Sequence, residues 1–312
     1  MSGKESAIEA PEPIVATLPP LPEGLSAVTY QVLATGELAV LVADRRRRGG
    51  RRIPRAKRAA EAEGRIFVLA DSAWHQVLEF SPLPRFSNFD AFPDGNWLIV
   101  NVRTGTEPNG RVISPAGDLV RTVMLGDGIE HVKIDDFGRI WVGWFDEGVF
   151  SNNGWYVDGL SDPPNSYGVA AFSAKGRLLA YPTGVLVADC YALTTARDEA
   201  WFYPYTDFPI VRLSPKRQDL WPTELSGTRA IAVREPYVLA VGGYGGDFDR
   251  AVLLELEASS ARELASWSLP LGPRRSRELR FLDARGDTIW AIVGDRCLRW
   301  TVDDAVAAAA AG

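Results

Sequence analysis

The sequence has little cysteine or histidine and no long apolar run. Two Cys and two His among 312 residues are too few for a disulfide framework or a clustered zinc site. No apolar stretch approaches the roughly 20 residues that a transmembrane helix needs, and residues 1–13 lack the apolar core of a secretory signal. We therefore expect a cytoplasmic protein without a membrane span.

Familiar catalytic motifs are also missing. The sequence contains no Gly-x-Ser-x-Gly elbow, no His-Glu-x-x-His and no glycine-rich phosphate loop. With only His75 and His131, a Ser–His–acid triad would depend on folding alone to bring its members together. The net charge of −6 argues against a surface built for nucleic acid. The sequence thus leaves enzymatic activity uncertain and favours a binding function.

What the chain does contain is a repeated pair of short strands joined by a tight turn. In the clearest copy, strands over residues 130–134 and 139–144 flank the turn Asp135–Gly138. The strand residues are largely β-branched or aromatic, while Asp can bond its own backbone and Gly accepts positive φ. Further copies give six units, over residues 26–82, 88–123, 127–182, 189–215, 229–271 and 277–302.

Six units of three or four antiparallel strands predict an all-β fold, a six-bladed β-propeller. The sixth unit lacks a fourth strand, and the isolated apolar segment Ile14–Thr17 can supply it, so that the N-terminal strand closes the last blade. We expect a disordered lead over residues 1–13, a single propeller domain over 14–302 and a basic insertion at 44–64. The Ala-rich tail, 303–312, is expected to form at most a frayed helical turn.

Three segments resemble the repeats of NHL-type and gluconolactonase/strictosidine-synthase-like six-bladed propellers, with an architecture like that of WD repeats. They read GRIFVLADSAWHQVLEFS (64–81), PDGNWLIVNVR (93–103) and DDFGRIWVGWFDEGVF (135–150). The resemblance implies relatives as diverse as metal-dependent lactonases, amine–aldehyde condensing enzymes and binding scaffolds. The lactonase branch opens with Glu-Gly-Pro, whereas this chain has Glu23-Gly24-Leu25.

In such a fold, the loops entering each first strand and the loops between second and third strands build one mouth of the central channel. Acidic, basic and aromatic residues fall in or near these loops and could contact a ligand: Trp144, Asp146, Glu147, Tyr205, Asp207, Tyr244, Arg229 and Arg277. The first hypothesis is a monomeric binding or scaffold module that recognises a protein or a small molecule at this mouth.

The alternative is a metal-dependent hydrolase of the lactonase type. Glu130, Asp189 and Asp247 are the candidate ligands for a divalent cation such as calcium, which prefers oxygen donors. Glu130 and His131 are the candidate catalytic residues for proton transfer. Strict strand alternation lets only one of these two side chains face the channel. Many acids that follow strands could instead serve as turn-formers, so no cofactor is firmly predicted.

The insertion at 44–64 has an unusual composition because nine basic residues crowd into it: Arg45, Arg46, Arg47, Arg48, Arg51, Arg52, Arg55, Lys57 and Arg58. Such a cluster can contact nucleic acid, an acidic protein or an anionic membrane. No aromatic side chain is interleaved for base stacking, which argues against single-stranded nucleic acid. The plainer interpretation is a solvated loop.

Two further expectations concern packing. Trp97, Trp141, Trp201 and Trp290 recur early in second strands, which predicts packing between blades rather than ligand contact. Cys190 stands at the start of a first strand, where it could be a reactive thiol or, more simply, a small buried apolar residue.

Overall fold

The structure is a computed structural model that describes residues 9–44, 62–105, 107–150, 163–272 and 278–311. Within these ranges the chain forms six antiparallel sheets of four strands, and the fold is a six-bladed β-propeller. The predicted fold class is confirmed. By its internal contacts the chain divides into two compact units, which we call the blade 1–3 unit (Leu18–Cys190) and the blade 4–6 unit (Met1–Thr17 with Tyr191–Gly312).

Blades 1 to 3 each use four strands in chain order, as the sequence predicts. Blade 1 contains β2 (Leu25–Val32), β3 (Leu38–Asp44), β4 (Gly64–Ala70) and β5 (Ala73–Phe80). Blade 2 contains β6 (Ser87–Ala91), β7 (Trp97–Asn101), β8 (Gly110–Ile113) and β9 (Leu119–Val123). Blade 3 contains β10 (Ile129–Ile134), β11 (Ile140–Trp144), β12 (Val169–Phe172) and β13 (Leu178–Ala180), with the short helix α1 (Asp146–Val149) after β11.

Blades 4 and 5 follow the same plan, and blade 6 completes itself with the N-terminal strand. Blade 4 contains β14 (Asp189–Ala196), β15 (Glu199–Tyr205), β16 (Ile210–Ser214) and β17 (Arg217–Trp221). Blade 5 contains β18 (Thr228–Arg234), β19 (Tyr237–Gly242), β20 (Arg250–Leu256) and β21 (Ala261–Ser268). Blade 6 contains β22 (Leu279–Arg285), β23 (Thr288–Val293), β24 (Arg296–Thr301) and β1 (Ile14–Thr17).

The predicted closure of the last blade is confirmed. Strand β1 pairs antiparallel with β24, from Ile14 opposite Arg299 to Thr17 opposite Arg296. Just before β1, the buried Pro11 accepts a hydrogen bond of 3.2 Å from the indole N–H of Trp300. The disordered lead predicted over residues 1–13 therefore does not extend to Pro11, and residues 1–8 lie outside the described ranges.

We expect removal of residues 1–17 to lower the melting temperature by about 5 to 10 °C, because a domain of this size shifts by about 2 to 4 °C per kcal/mol lost. The deletion removes a strand of four paired residues and leaves β24 as an open edge, which also favours aggregation. Thermal unfolding followed by circular dichroism and light scattering measures both effects. Removal of residues 1–8 alone keeps Pro11 and β1 and is the control. Equal melting temperatures for the two deletions would contradict the closing role of β1.

The turn that defines the repeat is built as the sequence predicts. The side chain of Asp135 accepts hydrogen bonds from the backbone N–H groups of Phe137 and Arg139, both at 3.0 Å. Gly138 adopts a φ of 73°, which suits glycine best. The second oxygen of Asp135 accepts the indole N–H of Trp141 at 2.9 Å. One buried carboxylate thus ties the turn to the second strand.

The four recurring tryptophans are buried, as expected from their positions. Trp97, Trp141, Trp201 and Trp290 lie in β7, β11, β15 and β23, each the second strand of its blade, and are at most 7% exposed. They contribute to the apolar core, which supports the packing role expected from their positions.

The C-terminal residues form a longer helix than the frayed turn expected for 303–312. Helix α2 (Val302–Ala311) begins at Thr301, whose hydroxyl accepts the N–H of Asp304 at 3.1 Å. The Asp304 carboxylate in turn accepts the N–H of Thr301 at 3.0 Å, a reciprocal cap that stabilises a helix start. Val302 and Ala305 are fully buried in the apolar core of blades 5 and 6, so the tail is a packed part of the blade 4–6 unit.

Candidate functional site

The most prominent group of partly exposed aromatic side chains lies at one end of blades 4 and 5. It comprises Tyr191 at the start of β14, Tyr205 at the end of β15, Phe208 in the following turn and Tyr244 after β19. Because neighbouring strands run antiparallel, the start of a first strand and the end of a second strand lie at the same end of a blade. We call these four residues the Tyr191 cluster.

The rings of the Tyr191 cluster contact one another directly. The ring centroids of Tyr191 and Tyr205 are 6.0 Å apart and nearly parallel, at 15°. Tyr191 meets Tyr244 edge to face at 6.2 Å, and their hydroxyl oxygens are 2.8 Å apart. Phe208 is 5.6 Å from Tyr205 and 6.1 Å from Tyr244. Offset and edge-to-face pairs at these distances are favourable, so the cluster is a preformed aromatic surface.

Arg229 places a cation on this surface. The guanidinium carbon of Arg229, at the start of β18, lies 4.5 Å from the ring centroid of Tyr191, within the range of a cation–π interaction. Arg229 is exposed and forms no ion pair with a carboxylate of the described residues. Gly242 leaves room for the backbone of Arg229, because a Cβ at residue 242 would lie 2.8 Å from the backbone nitrogen of Arg229. The φ of Gly242, 111°, also suits glycine best.

The base of the cluster is rigid. Phe208 stacks on Tyr203 with a centroid distance of 5.5 Å and an angle of 18°, and Tyr203 is fully buried. Burial raises the pKa of Tyr203 to about 12, so its hydroxyl stays protonated and is unsuited to proton transfer near neutral pH. Asp207 and Phe208 hold φ values of 58° and 51°. Non-glycine residues in this region are uncommon and concentrate at functional sites.

Among the residues predicted to line the mouth, Tyr205, Tyr244 and Arg229 are joined through Tyr191 and Phe208. Neither Tyr191 nor Phe208 was part of the prediction. Asp207 lies exposed in the same turn as Phe208, and Arg277 falls outside the described residues.

Trp144 corrects the prediction for the mouth. It is 0% exposed, and its indole N–H donates to the carbonyl of Leu125 at 3.0 Å. It belongs to the apolar core of blades 2 and 3. A strand-end tryptophan can turn inward when a carbonyl lies within its reach, and Trp144 is therefore a core residue rather than a ligand contact.

Asp146 and Glu147 lie exposed in α1, and Glu147 belongs to an ion-pair network. Arg103 donates to both oxygens of Asp127, at 3.0 and 3.2 Å, and to Glu147 at 2.6 Å. Asp127, 2% exposed, also accepts the N–H of Thr104 at 2.7 Å. Asp127 and Glu147 are thus bound to Arg103, and Asp127 also to the backbone of the loop at Thr104, which indicates a structural role.

The candidate catalytic residues Glu130 and His131 lie at an irregular point of β10. Ile129 pairs with Trp144 and His131 with Gly143, so Glu130 is an extra residue in the strand. This β-bulge breaks the strict alternation on which the assignment of opposite faces rested. Glu130 is exposed.

Cys190 is a buried apolar residue rather than a reactive thiol. It is 0% exposed, and burial raises its pKa well above the ordinary value, with smaller contributions from Asp189 and Glu130. A thiol is reactive as its thiolate, so a raised pKa disfavours chemistry at this position. Cys297 is buried as well, and burial raises its pKa to about 11.

The proposed metal ligands do not form a metal site. Glu130, Asp189 and Asp247 all belong to the described residues, and among those residues no group of three or more His, Cys, Asp or Glu side chains could hold a metal ion. Calcium needs six to eight oxygen ligands at 2.3 to 2.6 Å. The donor arrangement therefore lends no support to the metal-dependent alternative.

A buried polar group that was not predicted from the sequence connects the first strands of blades 1 to 3. Gln31, Asp90 and Lys133 lie in β2, β6 and β10 and are at most 3% exposed. Gln31 donates to the carbonyl of Val132 at 2.9 Å, and Asp90 accepts the N–H of Ile134 at 2.6 Å. A charged residue in the middle of an apolar first strand is the sequence signal that could have revealed these ties between blades.

The basic insertion and the absence of a membrane span were both predicted from the sequence. The basic residues between Arg45 and Arg58 lie outside the described residues. Of the helices in the described ranges, none has the length and apolar character required to cross a membrane.

Comparisons with known structures support the fold. A catalytically inactive virginiamycin B lyase from Staphylococcus aureus, solved with quinupristin, aligns with a TM-score of 0.51 and 12% identity over 93% of this chain and 99% of its own. The β-propeller domain of Cps50 (Swd1) from Myceliophteria thermophila aligns with a TM-score of 0.51 and 11% identity over 92% and 99%. The chain is therefore similar in fold to known β-propellers.

No family model and no curated protein matches the sequence. The resemblance to NHL-type and gluconolactonase-like propellers therefore stays a prediction. Sequence identities of 11 and 12% to these structures show a shared fold and nothing about activity.

Proposed function

We propose that this propeller is a cytoplasmic binding module whose ligand contacts the Tyr191 cluster, at the mouth that the sequence predicts. The observation that carries the proposal is the exposed aromatic surface with Arg229 held on it. Tyr205 and Tyr244 are 42% and 43% exposed, although they already pack against other rings. Large amphipathic side chains of this kind are enriched in recognition surfaces.

Arg229 gives this surface a chemical preference. A guanidinium offers five N–H donors in a planar fork that matches a carboxylate or a phosphate. Because Arg229 rests on Tyr191 and has no carboxylate partner among the described residues, these donors remain available in a preorganised position. The ligand is therefore a carboxylate or similar anionic group attached to an apolar or planar body.

The surrounding charges favour one anionic group over a polyanion. Asp207 lies in the turn of Phe208, and Asp247 lies in the turn Gly245–Asp249 that follows Tyr244; both acids are exposed. Their charges would repel the successive phosphates of a nucleic acid. A small organic acid, or a protein segment that presents a carboxylate beside an aromatic side chain, fits both the cluster and its charges.

A matched pair of probes tests the proposal. We expect N-acetylphenylalanine, which carries a carboxylate, to bind about tenfold or more tightly than N-acetylphenylalanine amide, since a hydrogen bond to a charged group contributes about 1.5 to 3 kcal/mol. Arg229→Gln should remove this preference, and Tyr205→Ser or Tyr244→Ser should weaken both probes. Ligand-observed NMR titration gives the dissociation constants.

Tyr181→Ser is the control, because Tyr181 is a tyrosine of similar exposure, 38%, outside the cluster. Equal binding of both probes, or a preference that survives Arg229→Gln, would overturn the proposed role of Arg229. A peptide ending in phenylalanine, compared with the free amino acid derivative, distinguishes a protein segment from a small molecule as the better ligand.

A further inference from the structure

A concave site lies in the blade 1–3 unit, at the ends of the blades where first and second strands are joined. It is a cleft of about 490 Å³ bounded by the β2–β3 turn, strands β4 and β5, and the β6–β7 turn. The Tyr191 cluster, by contrast, lies where first strands begin and second strands end. Ligand sites commonly have volumes of about 300 to 1,000 Å³, so the cleft is large enough for a small organic molecule.

The interior of the cleft is apolar. Val68, Phe92 and Trp97 line it and are 5 to 7% exposed. Val68 and Trp97 belong to the packed core of blades 1 and 2, and Phe92 belongs to that of blades 2 and 3. Val77 in β5 adds an apolar wall and is 36% exposed. Covering an exposed apolar side chain beside a concave apolar surface is favourable in free energy, because it removes apolar area from water.

The charges on the lining are negative. Glu37 and Asp136 both line the cleft and are exposed. Glu37 is oriented by the hydroxyl of Thr35, which donates to its carboxylate at 2.7 Å. Within the described ranges neither acid has a cationic partner. Arg121 lies 5.7 Å from the ring of Phe92, but it donates to the carbonyl of Ala174 at 2.7 Å and is not among the lining residues.

We propose that this cleft binds a small organic cation, an ammonium or guanidinium group carried on an apolar body. The apolar body occupies the surface formed by Val68, Val77 and Phe92, and the cationic group faces the two carboxylates. An apolar interior with a few convergent polar groups is the usual composition of a ligand site. The inference does not depend on the Tyr191 cluster, because it uses other residues and the opposite ligand charge.

Two probes that share a ring system but differ in charge test the cleft. We expect tryptamine, an ammonium at pH 7, to bind, and indole-3-propionate, a carboxylate, to bind at least about tenfold more weakly, because the two acids of the cleft attract the first probe and repel the second. The double variant Glu37→Gln/Asp136→Asn should reduce tryptamine affinity about five- to tenfold and abolish its decline with added salt. Isothermal titration calorimetry at two salt concentrations provides these values.

Two further variants complete the experiment. Ala34→Phe places a ring into the cleft from the exposed β2–β3 turn and should abolish binding of tryptamine while leaving the melting temperature unchanged. Asp71→Asn removes an exposed acid of blade 1 that does not line the cleft and should change affinity by less than about twofold. The proposal is overturned if indole-3-propionate binds as well as tryptamine, if the double variant binds like the parent, or if Ala34→Phe leaves binding intact.

Discussion

Replacing Arg212 by alanine is expected to lower the free energy of unfolding by about 3 kcal/mol, one of the largest effects available to a single substitution in this chain. Arg212 lies in β16 and is 2% exposed. Its guanidinium carbon is 5.1 Å from the ring of Trp201 and 5.3 Å from the ring of Trp221. It also donates to Asp219 at 2.8 Å and to Glu235 at 2.7 Å. Alanine would remove all four contacts and leave a cavity beside two tryptophans.

Two other substitutions at Arg212 separate these contributions. Lysine keeps the charge but lacks the planar fork and stacks less well on aromatic rings, so we expect a loss of about 1 to 2 kcal/mol. Methionine keeps the apolar stem and loses the charge; a smaller loss than with lysine would show that packing dominates. Urea denaturation, read from its midpoint and slope, supplies each free energy.

Arg217→Ala is the matched control for this series. Arg217 pairs with the same acid, Asp219, at 2.6 Å, but is 55% exposed, and exposed pairs contribute less than about 1 kcal/mol. A loss below about 1 kcal/mol for Arg212→Ala would contradict its proposed role between the tryptophans.

Replacing Gly128 by alanine is expected to destabilise the blade 1–3 unit by about 4 kcal/mol, because two costs combine. Gly128 has a φ of 72°, where a side chain is disfavoured. A Cβ at this position would also lie 2.3 Å from the Cα of Gly148. The neighbouring atoms are backbone, fixed by a hydrogen bond of 3.0 Å from Phe145 N–H to the Gly128 carbonyl, so no flexible side chain can move away.

Two glycine controls isolate the two costs. Gly24 has a φ of 85° with no heavy atom within 4 Å of a Cβ, so Gly24→Ala should cost only the conformational part, about 1 kcal/mol. In Gly148→Ala, the Cβ would meet the carbonyl oxygen of Asp127 at 2.6 Å, which reports the collision. Chemical denaturation of all three variants provides the comparison. If Gly128→Ala were no more destabilising than Gly24→Ala, the close approach of the two loops would be disproved.

The strands and their order could be predicted because their signals are local. The turn at Asp135–Gly138 needs only a carboxylate and a glycine three positions apart in the chain, and the strand residues next to it are visibly apolar. Even the closure by Ile14–Thr17 could be inferred, since the sixth unit lacked a strand. Local patterns of this kind do not depend on where the rest of the chain lies.

The sites were harder to predict because they depend on the exact path of the chain. The bulge at Glu130 adds one residue without any mark in the composition, so alternation could not assign the faces of Glu130 and His131. Arg103 and Asp127 form an ion pair although they are 24 positions apart, and neither residue type indicates the other. Tyr191 becomes the centre of an aromatic cluster only when two blades bring their strand ends together.

The pairing of β1 with β24 has a consequence for synthesis of the chain. Ile14 is synthesised well before its partner Arg299, because 299 − 14 = 285 positions separate them in the chain. The last blade can therefore be completed only after the C-terminal strand is released, and its pairing closes the longest loop in sequence, which slows folding. A circular permutant that joins the present ends and opens the chain between blades 3 and 4 would make β1 and β24 neighbours in sequence. Such a permutant should complete this blade during synthesis rather than after it.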